Sequence, residues 1–279
     1  MTKILRLGLS ECTLLCIYWI NTYIKENNRH LNIMKRNLIK WLYATSGFYD
    51  KKMKGTSFNQ KLMTGNSGVY NDYMQKILNI IKDADNFEFC FHNIRNENYI
   101  EEFKKFINPK ETVVIDKNII FPFIRDKNVL FISPFASLYK SQIESGNCAK
   151  IHNDFPNVKN VTIYKNPYTF FNSGPQNNIF ETVTEIISEI SKLKNDFDCA
   201  IISCGAYSCL IADEIHKWGK DVCTVGGILQ QIFGIFNNRM KQHNCNILNE
   251  IANKEYWIMN IPDEYKPNNY MKIEGGCYW

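Results

Sequence analysis

A charged pair stands where the first apolar run of the chain gives way to a helical pattern. The stretch RLGLSE places Arg6 near the end of a short strand-like run and Glu11 at the start of an apolar helix. A carboxylate there could take up a catalytic proton, hold a sugar hydroxyl or meet a metal ion, and Arg6 could pair with it or with a phosphate. Glu11 could equally do no more than favour the positive end of the helix dipole, an effect of about 0.3–1 kcal/mol.

Two glycine turns follow later apolar runs and raise a second possibility. In CGAYS, Gly205 precedes Ala206 and Tyr207, and in VGG a second run ends at Gly226 and Gly227. Glycine lets a backbone approach a ligand closely, and a helix N-terminus offers unpaired N–H groups to an anion. A diphosphate would suit the turn at Gly205. Neither turn is a G-x-G-x-x-G fingerprint, so each could also be a tight connection without a ligand.

Other polar residues fall near the same predicted strand ends. Ser133 lies in the turn SPFA, Gln230 follows the glycine pair, and His92 ends the run FEFCFH. Ligands of open α/β sheets bind outside the carboxyl ends of the strands, so these turns are candidate binding positions. Ser203 and Cys204 also lie at a turn, but G-x-S-x-G is absent and no base is placed beside them.

The elements that must position these residues alternate between strands and helices. Strand-like runs cover 3–8, 87–92, 111–116, 128–135, 160–165, 198–203 and 221–226, and helical patterns cover about 10–25, 31–43, 72–82, 97–107, 136–145, 178–194 and the stretch after 205. Several strands are uninterrupted apolar runs, which favours a mainly parallel sheet with helices on both faces. We therefore predict one Rossmann-like α/β domain over 1–279, with the C-terminal tail folded back on it.

Two segments lie outside that alternation. Residues 46–72 contain several glycines and little periodicity, which predicts a long loop, and loops of that length are often functional. The chain ends on Cys277, Tyr278 and Trp279. Large aromatics are seldom left exposed at a free end, so we expect the tail to close the core or to cover the cleft.

Composition narrows the class of protein. The 279 residues carry a net charge of +5 without a Lys/Arg block, which argues against nucleic-acid binding. Ten cysteines form no C-x-x-C pair and sit mostly in apolar runs, as expected in a reducing compartment. No stretch reaches the roughly 18 consecutive apolar residues of a spanning helix, and no cleavage site follows the apolar N-terminal segment. We predict a cytoplasmic protein without a membrane span.

Several stretches together resemble a known family. RLGLSE, NSGVYND, SPFASLYKSQ, the block from 198 to 236 and the terminal EGGCYW are similar, in that order, to a family of bacterial and viral proteins that in turn resembles the GT-D class of glycosyltransferases. The resemblance runs from about residue 4 to residue 279. It implies a Rossmann-like fold that holds a nucleotide-sugar and transfers the sugar to an acceptor.

The resemblance also implies roles for particular residues. Glu11 matches a motif carboxylate and is the predicted catalytic residue. Arg6, Gly8 and Ser10 stand in the same motif and are predicted to bind the substrate. Position at the strand ends adds the other predicted substrate-binding residues, which are Ser133, Gly205, Ala206, Tyr207, Gly226, Gly227 and Gln230. The chain departs from the GT-D motif at Leu9, which replaces an aspartate, at Ser10, which replaces a glycine, and at Gly227, which replaces a histidine.

Leu9 bears directly on the cofactor. Hard divalent cations want oxygen ligands, and leucine has none. Manganese therefore stays open as a cofactor, and no residue is predicted to bind a metal. The first hypothesis is that the protein transfers a sugar from a nucleotide-sugar to an acceptor that the sequence does not identify, and that it does so without a metal. A non-catalytic nucleotide- or sugar-binding module on the same fold is the alternative, and an enzyme of another class acting on small molecules is a third reading.

Overall fold

The computed structural model describes residues 1–26, 29–52, 68–92, 94, 96–244 and 251–279. Seven strands form a single parallel sheet in the order β3-β2-β1-β7-β6-β4-β5. The strands are β1 (Lys3–Arg6), β2 (Asn86–Glu88), β3 (Glu111–Thr112), β4 (Asn128–Ile132), β5 (Asn160–Tyr164), β6 (Cys199–Ile202) and β7 (Asp221–Thr224).

The described helices lie between and after these strands. They are α1 (Leu9–Trp19), which continues as a π-helical turn (Ile20–Ile24), α2 (Arg29–Thr45), α3 (Gly68–Lys82), α4 (Glu97–Ile107), α5 (Lys117–Ile124), α6 (Ala136–Glu144), α7 (Asn147–Ile151), α8 (Ile179–Ser191), α9 (Ser208–Lys217), α10 (Ile228–Ile232) and α11 (Asn238–His243). Short 3-10 turns cover Phe170–Asn172 and Gly205–Tyr207.

The predicted Rossmann-like α/β fold is confirmed, and apolar side chains explain why both faces of the sheet are covered. Along β4, Val129 and Phe131 belong to one buried cluster, whereas Leu130 and Ile132 belong to the other. Successive strand residues point to opposite faces, so a fully apolar strand needs helices on both sides. Helices α1, α2, α3, α8 and α9 contribute to the cluster that contains Leu130 and Ile132. Helices α5, α6 and α10 contribute to the cluster that contains Val129 and Phe131.

Side-chain caps set the start of several helices. Asn96, Asp116 and Asn178 each accept a hydrogen bond from a backbone N–H in the first turn of α4, α5 and α8. These caps agree with the predicted start of α4 and of α8. Helix α5 was not predicted, because its sequence KNIIFPFI is apolar all round and contains Pro122, which normally argues against a helix interior.

The predicted strands were mostly too long at their carboxyl ends. The second strand was predicted over 87–92, but β2 ends at Glu88, opposite the last residue of β1. Likewise β4 ends at Ile132 rather than at 135. The apolar runs continue because the residues after each strand pack inward around the end of the sheet. Phe135, for example, is buried against Trp279.

The predicted loop over 46–72 was too long at its far end. Helix α3 already begins at Gly68, before the predicted start at about residue 72. The part of the predicted loop from 53 to 67 lies outside the described residues. Among the described part, Ser46 and Gly47 turn back over the sheet and contact the loop that follows β6.

The last residues pack against the body of the protein. Trp279 is 7% exposed, and its Nε1 donates a hydrogen bond of 2.7 Å to the carbonyl of Tyr265. It belongs to the same apolar cluster as Val129 and Phe131. Nine cysteines fall in the described ranges, and all nine are free thiols. None of the helices described combines the length and the apolar character that a bilayer crossing requires.

Candidate functional site

A cavity of about 590 Å³ opens at the carboxyl edge of the sheet. Its position follows from the way the helices leave the strands. After β1 and β6 the chain enters helices on one face, whereas after β7 and β4 it enters helices on the other face. Diverging connections of this kind leave a crevice above the strand ends, which is the usual ligand position in open α/β sheets.

The cavity brings together most of the residues predicted from sequence. Those that line it are Arg6, Gly8, Ser10, Glu11, Gly205, Tyr207, Gly226, Gly227 and Gln230. They come from three separate segments, which follow β1, β6 and β7. The cavity is also lined by Leu9 and His92.

Ser133 and Ala206 are not among the lining residues. Ser133 is buried, and its Oγ accepts a hydrogen bond of 3.2 Å from the backbone N–H of Phe135. Ala206 donates its N–H to the carbonyl of Ser46 at 2.8 Å, and its own carbonyl accepts a hydrogen bond from Tyr73. Their polar groups therefore hold turns beneath the cavity, and the predicted contact with a substrate does not follow from their position.

Glu11 lies in the first turn of α1 and is 8% exposed. Burial raises the pKa of its carboxyl above the ordinary value of 4.5, while a hydrogen bond with Ser46 and the charge of Arg6 act in the opposite direction. Gly8 makes room for this side chain, since a Cβ at residue 8 would lie 2.1 Å from Glu11 Oε2. The site thus holds a carboxyl whose protonated form is favoured by its surroundings.

Arg6 ends β1 and turns its guanidinium toward the same cavity. Its Nε lies 3.0 Å from Glu88 Oε2. Thr224 on the neighbouring strand fixes its backbone, because Thr224 Oγ1 accepts from the Arg6 N–H and donates to the Arg6 carbonyl. A guanidinium has five N–H donors in a planar fork, so Arg6 can bind an anion and Glu88 together.

Gly205 is explained by protein packing. Its φ is +59°, and a Cβ at this position would lie 2.4 Å from the carbonyl oxygen of Ser46. The close approach that the glycine permits is therefore to the chain after α2. The predicted approach to a diphosphate is not needed to account for it. The N–H of the next residue, Ala206, is also taken by that carbonyl.

Tyr207 and Gln230 line the cavity, but their polar atoms have protein partners. Tyr207 donates to Thr169 Oγ1 at 2.6 Å. Gln230 Nε2 donates to the carbonyl of Tyr278 at 2.9 Å, and Gln230 Oε1 accepts from Asn237. Gln230 thus ties the C-terminal tail to α10, and its predicted role in binding the substrate does not follow from these hydrogen bonds.

A serine and a histidine meet at the side of the cavity. Ser10 Oγ lies 3.2 Å from His92 Nε2, and the backbone N–H of His92 donates to Thr13. Both side chains line the cavity and both are half-buried. His92, which ends the second predicted strand, therefore lies beside Ser10 at the wall of the cavity.

The sequence analysis did not predict an ion pair near the C-terminal tail. Arg239 on α11 pairs with Glu274, and its guanidinium lies 4.6 Å from the centre of the Tyr278 ring. Gly227 accommodates that ring, since a Cβ there would lie 3.2 Å from Tyr278 Cε1. Glu274 is the first residue of the EGGCYW motif, so the sequence could have indicated Glu274 as a functional residue. Nothing in the local pattern marked Arg239.

Asn166 is the other residue that the sequence did not indicate. It follows β5, lines the cavity and is only 5% exposed. Its Nδ2 donates weakly to the carbonyl of Pro167 at 3.3 Å, whereas its Oδ1 has no hydrogen-bond partner among the described residues. A buried acceptor without a donor costs free energy, so a donor supplied by a bound ligand or by water would stabilise this wall.

The residues around the cavity do not form a good site for a hard cation. Leu9 lines the cavity and supplies no oxygen. Two neighbouring carboxylates are held by guanidinium groups: Glu88 by Arg6 and Glu274 by Arg239. Within the described ranges, no group of three or more His, Cys, Asp and Glu side chains could hold a metal ion. The residues of the cavity therefore do not support a reaction step that uses a manganese ion.

Comparison with protein-family models, with curated proteins and with solved structures gives no match for this chain.

Proposed function

We propose that the protein binds a nucleotide-sugar in this cavity and transfers the sugar to an acceptor. The observation that carries the proposal is the convergence of the predicted segments. Arg6 and Glu11 come from one motif near the N-terminus and Gly226 comes from a motif far away in sequence, yet all three line one cavity at the carboxyl edge of a parallel sheet. The resemblance of those motifs to the GT-D class supplies the substrate class.

The charges of the cavity suit a diphosphate leaving group. Arg6 and Arg239 both line it, and guanidinium groups can hold phosphate oxygens in a bidentate manner. Groups of this kind, already in place before the reaction, stabilise charge that develops in the transition state. Aromatic side chains, including Tyr168 and Phe170, complete the walls and offer flat surfaces for a base or a sugar ring.

Glu11 takes the role of general base. The acceptor hydroxyl gives its proton to the Glu11 carboxylate while its oxygen forms a bond to the anomeric carbon of the donor. The bond from that carbon to the diphosphate oxygen breaks, and the diphosphate leaves with the electron pair beside Arg6. A carboxyl whose pKa is raised by burial is a stronger base than an exposed one, which brings it closer to the optimum for proton transfer near neutral pH.

A non-catalytic binding module is the second candidate, and the burial of Glu11 favours it. Only 8% of Glu11 is exposed, and its carboxyl already has a hydrogen bond with Ser46. A carboxylate held in that way can shape a binding wall without meeting an acceptor. In this case a nucleotide-sugar would be bound and released intact.

The first experiment is a thermal-shift screen of the purified full chain against nucleoside diphosphates and nucleotide-sugars, with and without manganese. Because a ligand that binds the folded state raises the midpoint by mass action, one clear shift would name the donor. Release of the nucleoside diphosphate is then measured with wild type and Glu11→Gln. Turnover that fails in the variant supports transfer, whereas binding without turnover supports the module. A screen with no shift at all would overturn the proposal.

A further inference from the structure

Helix α2 carries an unusual charge on its outer face. Its 17 residues include Arg29, Lys35, Arg36 and Lys40 but no Asp or Glu, in a chain whose net charge is +5. The exposed helix α4, in contrast, mixes acids and bases along its length. Like charges one turn apart on a helix repel each other. A solvated face gains nothing from such a pattern, so the stripe calls for an anionic partner.

The cations share one side of the helix with an apolar side chain. Arg29, Ile33, Arg36 and Lys40 follow one another at spacings of four, three and four residues, which places them in a single stripe at 3.6 residues per turn. All four are exposed, while Leu31, Leu38, Ile39 and Leu42 form the opposite, buried face. Arg29, Arg36 and Lys40 form no ion pair with any described residue.

Exposed apolar side chains border this stripe. Ile33 is 46% exposed and lies within the stripe, and Trp41 is 47% exposed and follows Lys40 at the flank of the helix. Both are among the nine large apolar side chains that the described residues leave exposed. Cations interleaved with aliphatic and aromatic side chains on one helix face are typical of segments that lie in the interface of an anionic bilayer.

We propose that the outer face of α2, defined by Arg29, Ile33, Arg36, Lys40 and Trp41, docks on an anionic lipid surface. The cations meet the lipid phosphates, while Ile33 and Trp41 enter the boundary between headgroups and acyl chains. Two copies of this chain would not pair through this same face, because the two stripes would repel each other. Nucleic acid would satisfy the charge but would leave Ile33 without a role.

Docking through α2 would also place the rim of the cavity near the lipid surface. Trp41 and Leu9 both line the cavity and are both exposed, so they lie at its rim. Helix α2 also contacts the turn Phe170–Asn172, whose Phe170 lines the cavity and whose Phe171 is exposed. Docking through α2 therefore brings the rim of the cavity toward the headgroups. The docking itself does not depend on the proposed sugar transfer.

Co-sedimentation of the full chain with lipid vesicles tests the proposal. We expect binding to vesicles of phosphatidylcholine with phosphatidylglycerol, much weaker binding to phosphatidylcholine alone, and loss of binding as salt is raised. Each cation near an anionic surface contributes about fivefold to partitioning, so Arg29→Gln/Arg36→Gln/Lys40→Gln should lower it by about a hundredfold. A matched control, Lys105→Gln/Lys159→Gln/Lys192→Gln, removes the same charge from exposed positions elsewhere and should bind like wild type.

A second variant tests the apolar half of the face. Ile33→Ser/Trp41→Ser leaves the charge unchanged, and we expect it to weaken binding to anionic vesicles by about tenfold, as the loss of apolar burial predicts. Circular dichroism and the unfolding midpoint check that each variant is folded. The proposal is overturned if wild type does not bind anionic vesicles, or if the two triple variants lose binding equally. It is also overturned if a single-stranded RNA binds more tightly than the vesicles and is insensitive to the Ile33/Trp41 change.

Discussion

The guanidinium of Arg6 fills the space beside Gly226. A Cβ on residue 226 would lie 1.8 Å from Arg6 Nη1, so the glycine of the second turn exists to admit a charged side chain from the first strand. The same relationship recurs at Gly8, which admits the carboxylate of Glu11. Both glycines therefore shape the charged wall of the cavity, which is a different role from direct contact with a phosphate.

Gly226→Ala tests that relationship. The new methyl group meets the flexible end of Arg6, so we expect the guanidinium to move while the fold survives. Loss of a charged hydrogen bond costs about 1.5–3 kcal/mol, which corresponds to a roughly 10- to 150-fold weaker affinity for a nucleoside diphosphate. Isothermal titration calorimetry measures the affinity. The control is Gly68→Ala, where an added Cβ meets no atom within 4 Å. Unchanged affinity in Gly226→Ala would remove Arg6 from the anion site.

Gly205→Ala is expected to lower stability. The residue has φ of +59°, which costs an L-residue about 1–2 kcal/mol, and its Cβ would meet the backbone oxygen of Ser46 at 2.4 Å. Gly146→Ala is a matched control, since Gly146 has φ of +75° and open space around it. Urea unfolding of both variants separates the free-energy cost of the positive φ, which both variants carry, from the cost of the contact with Ser46, which only Gly205→Ala carries. Equal losses would show that the contact with Ser46 contributes nothing.

Glu11→Gln is expected to change the pH dependence of stability. Since the pKa of Glu11 is raised in the folded state, wild type binds the proton more tightly when folded and loses stability as pH rises above the ordinary value of 4.5. Glutamine does not titrate. As pH rises, the free energy of unfolding of the variant should therefore increase relative to that of wild type by up to about 1.4 kcal/mol per pH unit. The increase ends once the pH exceeds the pKa of Glu11 in the folded state.

Unfolding free energies measured by urea titration from acid to neutral pH check this prediction. The two proteins should differ least at acid pH, where both side chains are neutral. A constant difference across the range would mean that burial does not perturb the Glu11 carboxyl. Activity of the same variant, measured at neutral pH, is independent of this result.

Asn166→Leu should separate ligand binding from stability. The Asn166 Oδ1 is buried without a hydrogen-bond partner among the described residues, and leaving such an atom unpaired costs about 1–3 kcal/mol. An apolar side chain of similar size removes that cost along with the weak bond to Pro167. We expect an unfolding midpoint equal to or above that of wild type and weaker binding of the nucleotide-sugar. Asn166→Asp, which keeps the acceptor, should bind better than the leucine variant.

Trp279→Phe should destabilise the fold through one lost hydrogen bond. The indole N–H donates to the carbonyl of Tyr265 at 2.7 Å in a buried setting, and phenylalanine leaves that carbonyl without this donor. Tyr168 still donates to that carbonyl at 2.6 Å, so the expected loss is that of one ordinary hydrogen bond, about 0.5–1.5 kcal/mol in urea unfolding. Trp41→Phe serves as a control, because Trp41 is half-exposed and its loss should change stability little. Equal stability in both variants would place the tail outside the folded core.

The sequence by itself determined the fold class and most of the elements. Alternating strand and helix patterns predicted a parallel sheet covered on both faces, because uninterrupted apolar strands must be buried on both sides. The helical pattern predicted over 178–194 also gave the start of α8 closely, since the helix begins at Ile179. Helix α5 was missed because Pro122 and a run of apolar residues obscure its period. Strand ends were overestimated because residues beyond the sheet are buried too.

The composition of the site depended on the tertiary structure. The strand order places β1 beside β7, and only that neighbourhood brings Arg6 to Gly226 and Thr224. The packing of loops and helices likewise brings Gly205 into contact with Ser46 and pairs Glu274 with Arg239. Sequence patterns encode which face of an element is apolar, since that is a property of neighbouring residues. They do not encode which strands lie side by side, because that follows from the packing of the whole chain.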